Sequence, residues 1–274
     1  MADLLGRSPA QDIFGIEVDD RGDALSFELP CSLWVEDDCA SPAIARGALI
    51  MAMDHAMGYA ISATRTGGQP ATTIDLRVDW TSPLLPGMPA LITVDAIAGS
   101  GPIYLASISI FQGGSSPCAQ GVGRFFSGVF PGRSIGGDVV PDNAEITAPG
   151  TGSGLSAFIG MKRVDPDRFI VPKAVRLSGM VRVGAYHGGL VAASADIAAE
   201  QRLQDWIADG AAYCATLETE YLRPSFVSND LHIEAILVRA GRRAAVVEVN
   251  VREAGWDSPL VTSSTALWVK RTAA

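Results

Sequence analysis

The sequence predicts an α+β protein of two like modules, each a long buried helix followed by antiparallel strands. Three observations carry this prediction. The stretch GALIMAMDHAMGYAISA, Gly47 to Ala63, holds a single carboxylate, Asp54, inside an otherwise apolar run, and a helix apolar on all sides is buried in a core. From Thr73 the period becomes two, with Ile74, Leu76, Val78 and Trp80 on one face and Thr73, Asp75, Arg77 and Asp79 on the other; that is the pattern of a half-buried strand. The arrangement then recurs. Gly47 and Gly189, Asp54 and Asp196, and Pro117 and Pro259 stand 142 residues apart, and Pro83 and Pro224 stand 141 apart. A near-constant offset across helix, strand and turn reads as an internal duplication.

In chain order, DIFGIEV and ALSFELP, joined by DDRGD, read as short strands, and CSLWVE as a further extension. Pro42 suits a helix approach, Ala, Leu and Met favour the helix that follows, and Gly67 and Gly68 stop it. Pro83, Pro86 and Gly87 end the first strand after the helix. ALITVDAI and IYLASISIF, separated by AGSGP, and a run from about Cys118 to Val129 complete a meander. Residues 130–154 are rich in Gly, Pro and Asp and read as a linker, which sets the modules at 1–129 and 155–274. The second module offers strand-like FIVPKAVRLSGMVRV and an apolar helical run from His187. CATLETEYLRP, LHIEAILV, AAVVEVNV and PLVTSSTALWV follow.

With 48% hydrophobic and 19% charged residues and no low-complexity tract, the 274 residues have the composition of a globular protein. A net charge of −9 argues against broad nucleic-acid or anionic-membrane binding, both of which need a basic surface. No nucleic-acid or membrane partner is expected, although a local Arg cluster can still take a small anionic substrate. The amino terminus lacks the basic-then-apolar pattern of a secretion signal, and no apolar run approaches membrane-spanning length, so a cytoplasmic location is expected. Cys31, Cys39, Cys118 and Cys214 have neither CxxC pairing nor metal-ligand spacing and read as buried small hydrophobes. His55, His187 and His232 share no ligand spacing either, so no metal is expected. GVGRFF from Gly121 lacks the third glycine of a dinucleotide loop, and no G-x-S-x-G nucleophile elbow occurs.

A helix opening with His187, Gly188 and Gly189, an acid nine positions after the His at Asp196, and a strand ending in Tyr221 to Pro224 together resemble the hotdog-fold acyl-CoA thioesterases, most nearly the phenylacetate-pathway (PaaI-like) group. The first half matches at Ala45, Arg46, Gly47, Asp54 and Trp80 to Pro83. The resemblance covers nearly the whole chain outside the linker and the extreme termini. It implies a double hotdog, in which a curved antiparallel sheet wraps a long central helix in each module and the modules form an intrachain pseudo-dimer. Active sites would lie at the seam, each using residues of both halves. A homodimer of such chains, paired through exposed sheet edges, is a further expectation.

Thioester hydrolysis needs a stabilised carbonyl oxyanion and an activated water or carboxylate nucleophile. A helix amino terminus preceded by glycines offers free N–H groups at the positive end of its dipole, and a carboxylate in a partly apolar seam can act as base or nucleophile. By the resemblance, one site pairs His187, Gly188 and Gly189 with Asp54, and the family's hydroxyl at the start of the post-helix strand falls on Thr73. The reciprocal site would join Arg46 and Gly47 with Asp196, and Cys214 in the place of Thr73. There Ala45 replaces the His and Arg46 the first Gly, a departure that either blocks the site or recruits an anion. The Asn or Gln that some relatives place before the HGG is missing, with Cys39 and Val181 at its positions. The expected activity is hydrolysis of an acyl-CoA, with CoA part of the substrate and no separate cofactor. Arg223, Arg77 or the run Met161 to Arg163 could meet the CoA phosphates. Alternatives are a non-catalytic acyl or acyl-CoA binding protein, favoured by the degenerate first-half motif, and a hotdog hydratase or dehydratase, for which no matching His–Asp spacing exists. The plainer readings are an Asp54 paired in the core with an Arg or with His55, a His187 that packs at the helix start, and an ordinary strand Thr73.

Overall fold

The computed structural model describes residues 16–19, 25–30, 44–67, 69–127, 154–180, 184–208 and 212–270. The expected extension CSLWVE, the linker up to residue 153, and Cys31, Cys39 and Val181 lie outside the described residues. Strands β1 (Glu17–Asp19) and β2 (Ser26–Leu29) precede helix α1 (Arg46–Thr64). Four strands follow as β3 (Ala71–Trp80), β4 (Ala90–Ser100), β5 (Ile103–Phe111) and β6 (Ala119–Ser127); β4, β5 and β6 pair in order, but β3 pairs β6 and not β4, which corrects the expected four-strand meander, because strand order in a sheet is set by long-range pairing that side-chain alternation does not encode. The second half opens with a short helix, α2 (Leu155–Ile159), then β7 (Lys162–Asp165) and β8 (Arg168–Val171). After these come β9 (Ser178–Met180), β10 (Ala185–Tyr186), helix α3 (Gly188–Arg202) and a short α4 (Gln204–Ala208). The chain closes with β11 (Ala212–Tyr221), β12 (Leu231–Ala240), β13 (Ala244–Glu253) and β14 (Leu260–Lys270).

The stretch FIVPKAVRLSGMVRV is not the single strand its composition suggested. Pro172, which has no N–H to give a ladder, follows the last residue of β8, and a 3-10 turn at Val175–Leu177 separates β8 from β9. Helices α2 and α4, five residues each, are too short to leave a periodic signal.

Twelve strands form one antiparallel sheet in the order β1-β2-β4-β5-β6-β3-β11-β14-β13-β12-β8-β7. The two halves meet where β3 pairs β11, with Arg77 opposite Glu218. Helix α1 packs on β2 to β6, α3 packs on β11 to β14, and the helices pack on each other. This covering explains why α1 can be apolar all round: Leu49, Ile50, Met51, Met53 and Met57 are all fully buried. Two glycines permit the close approach of the helices. A Cβ on Gly189 would come 2.6 Å from Met51 Cα, and one on Gly47 would come 3.0 Å from Ala193 Cβ and 2.6 Å from Leu155 Cδ2. Both are shorter than or at the limit of real Cβ contacts, so side chains there would push the helices apart. Among the described residues no helix is long and apolar enough to cross a membrane.

One departure from strict alternation matters for the site. Period two puts Thr73 on the same face as Asp75, Arg77 and Asp79. In the structure the β3–β6 register shifts between Thr73 and Asp75, so that Thr73 faces Phe125 and Asp75 faces Arg124. A bulge of this kind turns a side chain to the other face, and it swings Thr73 inward, toward α1. The second half bulges at the matching place, between Cys214 and Thr216.

Candidate active site

Asp54 lies midway along α1 and is 5% exposed. Both its oxygens are held. Thr73 Oγ1 donates to Oδ1 at 2.6 Å, and the Gly189 N–H donates to Oδ2 at 2.7 Å. The bulge delivers the first donor and the start of α3, from the other half of the chain, delivers the second. Burial pushes the Asp54 carboxyl above the usual carboxylate range, while the bonds from Thr73 and Gly189 and the nearby His55 pull it back.

His187 is the N-cap of α3, in extended conformation, and its Nδ1 also accepts from the Gly189 N–H at 3.1 Å. The ring sits 3.3 Å from Asp54 Oδ2, a distance at which a charged imidazole would form an ion pair. Burial instead lowers the His187 pKa to about 4, so the ring is neutral near pH 7 and acts as a capping acceptor. This agrees with packing at the helix start and leaves Nδ1, the nitrogen nearest Asp54, as an acceptor. It also gives a stability prediction. The unfolded imidazole takes a proton near pH 6.5 and the folded one resists until about 4, so stability is lost as pH falls through that window. Urea unfolding should show the wild type losing about 3 kcal/mol more than His187→Asn between those pH values. Asn is a competent cap, and Asp54, which works in the opposite sense, is common to both proteins. Parallel pH slopes would contradict the assignment.

Gly188, between the cap and Gly189, faces the carboxylate. A Cβ placed there would lie 3.1 Å from both Asp54 Oδ2 and Thr73 Oγ1, so its missing side chain leaves a cradle bounded by the acid and the hydroxyl. The Gly188 N–H has no partner among the described residues. The Gly189 N–H is spent on Asp54, so of the two glycine amides only that of Gly188 is open toward the cradle. On the other side, Tyr221 Oη donates to the Gly188 carbonyl at 2.7 Å.

The reciprocal residues also come together, but as an ion-paired cluster. Ala45 caps α1 without a side-chain bond. Arg46 reaches across to Asp196 Oδ2 at 3.2 Å and Glu200 Oε2 at 2.7 Å, with its guanidinium 4.6 Å from the centre of the Trp268 ring. Burial alone would lower the Arg46 pKa, but Asp196 and Glu200 outweigh it and hold the group firmly charged. Cys214, fully buried, gives its S–H to the Thr216 carbonyl at 3.4 Å, and burial with Asp196 beside it keeps the thiol protonated. Gly47 keeps the close helix contact of Gly189. A cation therefore occupies, at Asp196, the role that a backbone N–H plays at Asp54.

The structure places Asp54, Thr73, His187, Gly188 and Gly189 together and adds Tyr221, Glu200 and Trp268, partners that the sequence did not point to. Glu200 was findable: it stands four residues after Asp196, which puts both carboxylates on one helix face. Tyr221 lay inside the strand ending that suggested the resemblance, without a task assigned to it.

The sequence model of the acyl-CoA thioesterase N-terminal domain matches residues 177–269, which run from just before the His187 cap through β14. The curated proteins gave no match. Among solved structures, the acyl-CoA thioesterase II of Mycobacterium marinum is 11% identical, with 96% of this chain and 98% of that one covered at a TM-score of 0.58. The 12:0-ACP thioesterase of Umbellularia californica is 10% identical over 92% of this chain and 100% of that one, with a TM-score of 0.58. A hot dog fold protein of Alicyclobacillus acidocaldarius is 11% identical over 94% and 97%, with a TM-score of 0.56. The chain thus has the hotdog fold, and its residues 177–269 match the acyl-CoA thioesterase N-terminal domain.

Proposed function

We propose that the chain is a double hotdog, with modules at 1–129 and 155–274 joined by a linker, and that it hydrolyses acyl-CoA thioesters at a single seam site built on Asp54. The reaction class follows from the domain matched over 177–269. The pseudo-dimer is supported by the sheet register: Arg77 and Glu218, opposite one another at the β3–β11 junction, are 141 positions apart, as expected of equivalent residues meeting near a two-fold axis. One observation carries the site, namely that Asp54 Oδ2 and Thr73 Oγ1 both border the cradle over Gly188.

The thioester carbonyl lies over Gly188 with its oxygen toward the Gly188 N–H at the positive end of α3. Water sits at the edge of the cradle, against both Asp54 Oδ2 and Thr73 Oγ1. Asp54 takes a proton from it as the oxygen adds to the carbonyl carbon, and the negative charge passes to the carbonyl oxygen. The tetrahedral species collapses, the C–S bond breaks, and the proton held by Asp54 goes to the CoA sulfur, leaving the free acid, CoA and a regenerated carboxylate. Coenzyme A takes part only as the leaving half of the substrate. Of the cations near the sequence motifs, Arg77 is engaged by Asp79, and Arg163 by the backbone carbonyls of Asp165 and Pro166. Arg223, exposed and two residues beyond Tyr221, is the one we assign to the CoA phosphates.

The primary experiment is release of free thiol from a panel of acyl-CoAs. Turnover is expected, and slow, stoichiometric binding without product would transfer the chain to the binding-protein class. Gly188→Ala fills the cradle and is expected to keep the fold while lowering kcat/KM by about 10²-fold, the cost of misplacing a reacting group by an ångström. Wild-type kcat/KM in Gly188→Ala would move the thioester elsewhere.

A further inference from the structure

Tyr221 is a polar group at the site that the hydrolytic steps above leave without a task. Its hydroxyl donates to the Gly188 carbonyl at 2.7 Å, and the Gly189 N–H donates to Asp54 Oδ2, also at 2.7 Å. These two backbone groups belong to one peptide unit. In a trans peptide the C=O and N–H point in opposite directions in a single plane, so this unit is clamped at both ends, by the last residue of β11 and by the side chain of α1. Donation to the carbonyl also polarises the amide and strengthens what its N–H gives to the acceptor beyond.

The other seam lacks this clamp. The position 141 residues before Tyr221 is Trp80, whose Nε1 is a donor with no partner among the described residues, and there Arg46 takes Asp196 by an ion pair instead. Among the described residues, the peptide clamp accompanies the carboxylate that is not paired with an arginine.

We propose that Tyr221 is a positioning residue for hydrolysis: through the Gly188–Gly189 peptide it fixes the place and sets the basicity of the Asp54 carboxylate. The inference rests on Asp54 being the base. The titratable groups facing the clamp are Asp54 and His55 from α1, Asp75 from β3 and His187 from the start of α3; Thr262, opposite Tyr221 on β14, carries no charge. Burial, with Asp54 and Asp75 facing it, raises the Tyr221 pKa well above its ordinary value, so the phenol stays a donor wherever the protein is active.

The test is the titration of the Asp54 side-chain carboxyl carbon by NMR in wild type and Tyr221→Phe, with the Gly189 amide proton followed in the same samples. In Tyr221→Phe the Asp54 midpoint should rise and the Gly189 amide proton should move upfield. The acidic limb of kcat should rise with the midpoint. Above that limb kcat should fall about three- to tenfold, the effect of one lost neutral hydrogen bond, while KM stays within about twofold. Superimposed titrations and an unmoved amide would overturn the proposal. Should Tyr221→Phe fail to fold, site-specific 3-fluorotyrosine at 221, a stronger donor, should move the midpoint down, and an unshifted midpoint there overturns it equally. The NMR readouts need no turnover, so a chain inactive on every acyl-CoA would defeat the hydrolytic reading while the clamp is still decided by the titration.

Discussion

Asp54→Asn is expected to lower kcat for acyl-CoA hydrolysis by about 10²–10⁴-fold, the range lost with a general base. Asparagine has the shape of aspartate and can accept one of the two hydrogen bonds that Thr73 and Gly189 give, at 2.6 and 2.7 Å. It cannot take a proton from water. The pH profile adds a second signature. Because burial raises the Asp54 pKa above 3.8, wild-type activity should fall as pH drops through that raised value, higher than an exposed carboxylate would allow. The residual rate of Asp54→Asn should lack that limb. Thiol release measured across pH reads both effects, and an unchanged rate in the variant would remove Asp54 from the chemistry.

Arg46→Met is expected to destabilise the protein by about 3–5 kcal/mol, the cost of leaving one partner of a buried ion pair uncompensated. Asp196, almost wholly buried, loses the guanidinium at 3.2 Å, Glu200 loses it at 2.7 Å, and the stack on Trp268 is lost as well. Replacing both partners by apolar side chains is often close to neutral, so Arg46→Met with Asp196→Leu should recover most of the loss in urea unfolding. Asp196→Asn, in the same assay as Asp54→Asn, should retain thioesterase activity within about twofold. A loss at Asp196→Asn equal to that at Asp54→Asn would mean that both seams work.

The sequence carried much of this arrangement. The 142-residue offset and the change from helical to alternating period are properties of side-chain order, so a helix followed by strands, twice over, was legible from them, while the pairing of β3 with β6 and of β11 with β14 was not. The pairing of Asp54 with His187 to Gly189 came through resemblance, since no local pattern brings together residues as far apart in the chain as Asp54 and Gly189, 135 positions. What stayed hidden depended on register and on distance. Alternation assigned Thr73 to the outer face, and only the bulge before Asp75 turns it toward Asp54. Glycine reads as permission for close approach, but which amide is spent is a matter of ångströms: Gly189 N–H goes to Asp54 and Gly188 N–H does not. Arg46 could have blocked its seam or drawn an anion there, and its reach to Asp196 and Glu200 follows from the crossing of the two helices at Gly47 and Gly189.

Binding and cleavage of a thioester at one seam, over Gly188 and beside Asp54, can be seen directly. The most direct measurement is a crystal structure of Asp54→Asn soaked with an acyl-CoA that it turns over too slowly to destroy. The thioester carbonyl oxygen is expected within hydrogen-bond distance of the Gly188 N–H, its carbon facing residue 54, with nothing bound at the Arg46–Asp196 seam. A thioester lodged against Arg46, or one whose carbonyl lies away from Gly188, would contradict it.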